Sequence, residues 1–393
     1  MSFGVLSLIV LAGLAGPLVG AGGRIFVPVV VGEILAGVVL GRTGFDAVDP
    51  TDPTLRFLGD VGFAMLMFSV GAHVPLRDPR LPESLRGGAV AAAVVLVLAP
   101  VGGIAAAWFA GTGDAALYAV ILGSGSVAVV LPMITEARLT GAPALTLVGQ
   151  VTIADVVTIL AIPLVLQPTR MLNAASGAAL VAVGAAAVYL VSHRIYLATW
   201  VHRLRRRSKH RRWALDLRLS LLVLFTLSWV AEQSGTSVLV AGFGAGLLVA
   251  ALGGPKRLFT EVRGLADGFF VPLFFVLLGA RLELGALIED PSLLRLSLAL
   301  VLLNVAAHLV AGRLTGQSTA TALVATAQLG VPAAVVALAL PQGVLSAAQG
   351  AAIMIAALVS LVIAALGTTV LAAAARPAAA AHPERGVTVR VRP

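Results

Sequence analysis

Long apolar segments are the feature that most constrains this chain. A helix that crosses a bilayer needs roughly 20 mostly apolar residues. The pattern predicts an all-α polytopic membrane protein with about thirteen transmembrane helices within residues 1–375, followed by a short tail at 376–393 that we expect to be cytoplasmic and disordered. The thirteen segments are approximately 4–22, 25–41, 55–74, 88–110, 114–135, 142–167, 174–197, 217–233, 236–253, 268–288, 292–312, 318–340 and 345–374.

Charge is scarce in this sequence and unevenly distributed. Charged residues make up 11% of the chain, against about 25% in soluble domains. When the loops are assigned alternately to two sides, 22 of the 27 Lys and Arg fall on one side, as the positive-inside rule predicts. We therefore expect a multi-pass inner (plasma) membrane protein with its N-terminus outside and its C-terminus in the cytoplasm. The five basic residues on the predicted outer side are Arg42, Arg56, Arg170, Arg281 and Arg295.

Composition and motifs exclude several kinds of site. The chain has no cysteine, which excludes disulfides, thiolate metal sites and cysteine nucleophiles. It also lacks the glycine-rich phosphate-binding motifs, so we expect no nucleotide cofactor. The basic run at 202–212 is a short loop between apolar segments, and its expected partners are anionic lipid head groups rather than nucleic acid. The first segment lacks a preceding basic residue, so we interpret it as a transmembrane helix rather than a signal peptide.

Few polar side chains fall inside the apolar segments. An ionisable residue within a bilayer is costly, and it indicates a functional site by default. Asp155, in QVTIADVVTILAIPLVL, is the deepest acid. The alternative is a protonated Asp155 that is merely packed. The other candidates are the acids Glu33 and Asp60, together with Asn304, His308 and Gln328.

Helix-breaking residues interrupt two of the apolar segments. ILGSGSVAVVLPMI contains Gly123, Gly125 and Pro132, and GFFVPLFFVLLGA contains Pro272 and Gly279. Interrupted segments in corresponding halves of a transporter indicate its binding site, because half-helix ends and freed carbonyls meet ions there. Glycines also permit close helix packing, and the cluster at 123–126 alone leaves both interpretations open. Two interrupted segments with an acid between them favour a binding site.

Four sequence blocks occur in a specific order along the chain. They are GEILAGVVLG (32–41), LGDVGFAMLMFSVGAHV (58–74), GSGSVAVVLPMITEARLTG (123–141) and VPLFFVLLGARLEL (271–284). Together they resemble the cation:proton antiporters of the sodium/hydrogen exchanger superfamily, in particular the monovalent cation:proton antiporter-2 branch. The resemblance implies two inverted repeats with crossing broken helices, a homodimer, and a core subdomain that moves like an elevator. It places the two crossing helices at 123–141 and 271–284.

The resemblance also assigns roles to particular residues. It places the ion-binding carboxylate at Asp155 and puts Ser126 where the family usually has a threonine. Desolvation favours the protonated form of a carboxylate, so proton and cation (Na⁺ or K⁺) can compete for Asp155. At the position of Ala154, electrogenic members carry a second acid and others an Asn or Gln. Those members also carry a Lys or Arg at the position of Asn304. Because both partners are neutral here, we expect electroneutral exchange.

Other classes of function remain open at this stage. An antiporter-like fold without turnover could act as a sensor or regulatory membrane protein. An enzyme could use Asp155 and His308, but the sequence supplies no nucleophile, metal cluster or phosphate cradle. A channel is the third alternative, although an isolated acid between broken helices is more typical of a carrier.

Overall fold

The computed structural model describes residues 2–21, 29–72, 76, 81–136, 142–166, 171–196, 215–234, 238–252, 262, 264–282 and 292–381, which are helical with no strand among them. The first half contains α1 (Phe3–Gly13), α2 (Ala15–Ala21), α3 (Val29–Leu40), α4 (Pro53–Ala72), α5 (Leu81–Ala110), α6 (Ala115–Leu122), α7 (Val127–Glu136) and α8 (Ala142–Leu166). The second half contains α9 (Met171–Tyr196), α10 (Leu215–Gln233), α11 (Val238–Leu252), α12 (Val271–Ala280), α13 (Ser292–Leu314), α14 (Thr319–Ala325), α15 (Gly330–Ala339) and α16 (Ala347–Ala381), with a π-helical turn at Ala266–Phe270 before α12.

The helices are those of a membrane protein. Each of the thirteen predicted segments overlaps at least one described helix, while the number of crossings stays a prediction. Helix α16 continues to Ala381, past the predicted start of the tail, because its alanine-rich end favours helix. The rest of the tail and the basic loop at 202–212 lie outside the described residues. Within the described residues, six stretches are long and apolar enough to span a bilayer: Pro53–Ala72, Leu85–Ala110, Pro143–Leu166, Leu293–Leu314, Thr319–Ala339 and Ala347–Ala374.

The helices pack into two groups. Helices α5–α8 and α13–α16 pack on one another and form what we call the core group. Helices α1–α4 and α9–α12 form the scaffold group, in which α4 packs along α11 and α3 along α12. Among the residues that the structure describes, contacts between the groups are sparse and involve chiefly α8 with α9 and α11, and α4 with α7. Two bodies joined by few contacts can shift relative to each other with little loss of packing.

Glycine allows helices α3 and α12 of the scaffold group to pack with their backbones in contact. A Cβ built on Gly37 would lie 2.2 Å from the Val276 carbonyl oxygen, and one on Gly279 would lie 2.2 Å from that of Ile34. Any side chain at these positions would force α3 and α12 apart. Gly279 is therefore a packing residue inside a continuous helix, and its assignment as a crossing-helix break is wrong.

The second interrupted helix also lies elsewhere than the sequence predicted. Pro272 directly follows the π-helical turn Ala266–Phe270 and stands near the start of α12. The chain stays helical from this turn to Ala280, so the proline adjusts the helix locally without unwinding it, and α12 belongs to the scaffold group. The interruption falls at residues 326–329, between α14 and α15. The first interruption lies at residues 123–126, between α6 and α7, and contains Gly123 and Gly125. Pro132 does not end α7, which continues to Glu136.

Candidate functional site

Asp155 meets the start of a helix at the first interruption. Its Oδ2 accepts a hydrogen bond of 3.0 Å from the N–H of Val127, the first residue of α7. The unpaired N–H groups and the dipole of a helix N-terminus favour a negative charge. Asp155 is 4% exposed, so this single carboxylate is both buried and held by an oriented donor.

Packing of Gly125 explains why the interruption and Asp155 meet. A Cβ on Gly125 would lie 3.1 Å from the Cα of Val151, so the unwound backbone rests directly on α8. Val151 and Asp155 are one helical turn apart and share a face of α8. A larger residue at 125 would lift the start of α7 away from the carboxylate.

The second interruption is organised by an amide instead of an acid. Asn304, on α13, is fully buried. Its Nδ2 donates to the carbonyl oxygen of Thr326 at 3.0 Å and to Ser360 Oγ at 3.1 Å. This side chain thus ties the unwound segment to α16, using two neutral acceptors.

The two interruptions touch each other. Ser124 Oγ lies 2.7 Å from the carbonyl oxygen of Ile121 and 3.0 Å from Oε1 of Gln328. Ser124 belongs to the first unwound segment and Gln328 to the second, so the broken helices cross here. Sequence analysis identified Gln328 as a polar candidate but missed its place in a break. The signal was the Gly330 and Pro332 pair that follows it.

Two buried polar atoms at the crossing have no hydrogen-bond partner among the described residues. They are Oδ1 of Asn304 and Nε2 of Gln328, and both side chains are fully buried. Buried polar groups are normally paired, often with an ordered water. The crossing therefore has unused hydrogen-bonding capacity in addition to the Asp155 carboxylate.

The remaining core candidates lie close in sequence to these contacts. Ser126 is buried, and its carbonyl oxygen accepts from Val130 N at 2.9 Å, which starts α7. Ala154 is buried beside Asp155, and its carbonyl accepts from the Thr158 hydroxyl at 2.7 Å. His308 Nδ1 lies 2.9 Å from the carbonyl oxygen of Asn304, within α13.

The two secondary acids lie in the scaffold group. Glu33 is buried in α3, next to the Gly16 backbone, and the nearby charge is that of Asp267. Asp60 is an exposed residue of α4 whose charged neighbours include Arg281 and Arg56. Of the described acids, only Glu33 and Asp155 are buried. Asp155 is thus the one buried acid of the described core group.

Comparison with known families identifies this architecture. The model of the family described as "Sodium/hydrogen exchanger, transmembrane" matches residues 6–374. In solved structures, the sodium proton antiporter MjNhaP1 from Methanocaldococcus jannaschii superposes with a TM-score of 0.66, covering 95% of this chain and 96% of that one. The two sequences are 16% identical, so this likeness shows a shared fold.

Curated relatives carry antiporter and potassium-efflux names. The chain is 24% identical to the putative Na(+)/H(+) antiporter YjbQ of Bacillus subtilis over 69% of its length, and 25% identical to the probable Na(+)/H(+) antiporter 3 of Methanocaldococcus jannaschii over 70%. It is 27% identical, over 75%, to the glutathione-regulated potassium-efflux protein KefC of Salmonella paratyphi B. The chain spans 46% of YjbQ, 71% of the archaeal protein and 48% of KefC.

Proposed function

Because the chain belongs to the sodium/hydrogen exchanger family, we propose that it exchanges a monovalent cation, Na⁺ or K⁺, for protons across the membrane. The observation that carries the proposal is the buried Asp155 carboxylate at the N-terminus of α7, where the two interrupted helices cross. The names of the relatives support cation:proton exchange as the class of activity.

Competition at one carboxylate would couple the two fluxes. Burial disfavours an unpaired charge, so Asp155 would be occupied either by a proton or by a cation. The Val127 N–H can stabilise the carboxylate while one occupant leaves and the other arrives. Carboxylate, hydroxyl and carbonyl oxygens are the ligands that hard cations prefer, and we propose that Asp155 and Ser126 contribute to this shell.

Alternating access follows from the two helical groups. Asp155 is buried in the described arrangement, and exchange requires that it become accessible from each side of the membrane in turn. The sparse contacts between the core and scaffold groups favour a sliding of the core group past the scaffold group, and lipid does not oppose such a movement because it is as apolar as the helices. We propose an elevator-type cycle in a homodimer of the inner membrane.

Electroneutral exchange is the finer part of the proposal. Glu33 and Asp60 belong to the scaffold group and would not travel with Asp155. The neutral Ala154 and Asn304 add no charge to the core. One proton would therefore leave for each monovalent cation bound.

The test is dissipation of a pH gradient in proteoliposomes. The purified chain is reconstituted with a pH-sensitive dye inside, and sodium, potassium, lithium or choline is added at equal ionic strength. We expect at least one alkali cation to collapse the gradient far faster than choline and than empty liposomes do. A gradient that survives all three alkali cations would contradict exchange and favour a sensor that does not transport.

A further inference from the structure

A cavity of about 300 Å³ lies between the scaffold and core groups, away from Asp155. Its scaffold wall comes from the segment between α3 and α4, the start of α4 and the end of α12. Its core wall comes from the segment between α15 and α16. The residues that line it are Arg42, Pro50, Thr51, Arg56 and Arg281 on the scaffold side, and Leu340, Pro341, Leu345 and Ala347 on the core side.

All the charged side chains that line this cavity are arginines. Arg42, Arg56 and Arg281 come from three separate segments. They are also three of the five basic residues on the predicted outer side, where positive charge is sparse. Like charges repel when they converge, so this convergence favours an anionic occupant.

The nearby carboxylates do not line the cavity. Asp60 interacts with Arg281 and Arg56, and Asp49 with Arg42. Asp49 is itself held by the Thr51 hydroxyl at 2.6 Å and the Thr51 N–H at 2.8 Å, and these hydrogen bonds lower the pKa of Asp49. The charged groups that an occupant would meet are therefore guanidinium groups.

The cavity wall formed by the core group also includes the N-terminus of the long helix α16. Leu345 and Ala347 flank the N-terminus of α16, where the Ser346 N–H donates to Gln349 Oε1 at 2.8 Å and the Gln349 N–H donates to Ser346 Oγ at 3.1 Å. This reciprocal cap fixes the direction of the helix. The positive end of its dipole therefore meets the same cavity as the three guanidinium groups.

We propose that this cavity binds a small oxyanion, such as a phosphate group, and that the anion joins the core group to the scaffold group. Guanidinium groups bind phosphate through paired, charge-assisted hydrogen bonds. The phosphate can be free in solution or part of a lipid head group. An occupant that touches both walls stabilises this arrangement over any other, so it slows exchange. This last consequence rests on the proposed transport function, whereas binding does not.

Binding is tested on the purified full chain in neutral, lipid-depleted detergent by titration with radiolabelled phosphate at constant ionic strength. We expect saturable binding that weakens about tenfold in Arg281→Gln and in Arg56→Gln, since each loses charge-assisted bonds. Arg295→Gln is the matched control, because Arg295 shares the predicted outer side but does not line the cavity. Equal affinity in all of these variants would overturn the assignment.

A second pair of variants tests the site independently, in case the arginine variants do not fold. Ala347→Glu places a carboxylate at the start of α16, where acids stabilise a helix, and so supplies a tethered anion. Ala347→Gln adds nearly the same volume without charge. We expect phosphate binding to be lost in the Glu variant and weakened less in the Gln variant. Equal binding in both would contradict an electrostatic site.

The source of the anion is tested by changing the lipid. In nanodiscs, the chain would retain phosphatidylglycerol in preference to phosphatidylcholine if the anion is a lipid head group. A weaker preference in Arg281→Gln would support this source. Saturable binding of inorganic phosphate in detergent would support a free anion. Absence of both would overturn the proposal. Ala347→Glu should also exchange cations several-fold more slowly than Ala347→Gln. Phosphate binding in a chain without transport would refute the transport function alone.

Discussion

The two interrupted helices of the core group share an architecture but differ in charge. In the first half, the unwound residues 123–126 lie against α8, and an acid, Asp155, caps the helix that follows. In the second half, the unwound residues 326–329 are tied by the amide of Asn304 to Ser360 on α16. The same backbone problem, a helix broken at membrane depth, is solved once with a carboxylate and once with neutral groups.

This difference indicates separate roles for the two halves. A neutral amide binds neither a proton near neutral pH nor a cation strongly, so the second half contributes shape and hydrogen bonds. We propose that the carboxylate of the first half contributes the exchangeable charge. The four predictions below test this division, beginning with the largest expected effect.

Asp155→Asn should reduce cation-dependent proton flux to the level of empty liposomes. The amide is nearly isosteric, and its oxygen can still accept from Val127 N–H, so the fold should persist. Elution profile and thermal stability in detergent check this. The matched control is Asn304→Ala in the neutral half, which should retain exchange. A variant Asp155→Asn with normal flux would show that the exchanging group lies elsewhere.

Asn304→Ala should lower stability more than transport. Without Nδ2, the carbonyl oxygen of Thr326 and Ser360 Oγ lose a donor inside the core, at a cost of about 1–2 kcal/mol, which corresponds to a melting temperature lower by a few degrees. Ser360→Ala should cost less, because Asn304 keeps its bond to Thr326. If flux fell to background while the melting temperature stayed constant, Asn304 would belong to the ion site.

Ser126→Ala should raise the apparent KM for the cation a few-fold and leave the maximal rate nearly unchanged. Ser126 precedes Val127, so a hydroxyl there can contribute one oxygen of a shell in which Asp155 supplies the charge. Rates measured over a range of cation concentrations give both constants. Ser124→Ala serves as the control, because its hydroxyl already has Ile121 and Gln328 as neighbours. An unchanged KM would mean that Ser126 only helps to begin helix α7.

The first half could be predicted from sequence, whereas the second left only the Gly330 and Pro332 pair as a signal, at the start of α15. Gly123 and Gly125 within an apolar run, with one acid farther along, indicate a break and its charge. The second break consists of Thr326, Ala327, Gln328 and Leu329, none of which ends a helix by itself.

Proline was misleading for a physical reason. A proline can distort a helix locally without ending it, and Pro272 directly follows a π-helical turn, through which the chain continues as α12. The arginines of the cavity come from separate segments, and only the fold brings them together. Sequence periodicity describes one helix at a time, so it does not show which residues of separate segments come together.

The smallest expected effect is that of voltage on exchange. If Asp155 is the only exchanging group, the core carries no net charge when it holds a proton, and none when it holds a monovalent cation. Moving one elementary charge through 100 mV is worth about 2.3 kcal/mol, roughly a 40-fold change in an equilibrium constant. A neutral half-cycle avoids this dependence, so an imposed potassium–valinomycin potential should leave the sodium-driven rate unchanged. Asn304→Lys is the sharpest comparison, because it gives the neutral half a charge that travels with the core, and any exchange that it retains should depend on voltage. A transport current in the unmodified chain on a solid-supported membrane, reversing away from the 1:1 equilibrium, would mean that a second group exchanges protons, and Glu33 would then be the first residue to replace.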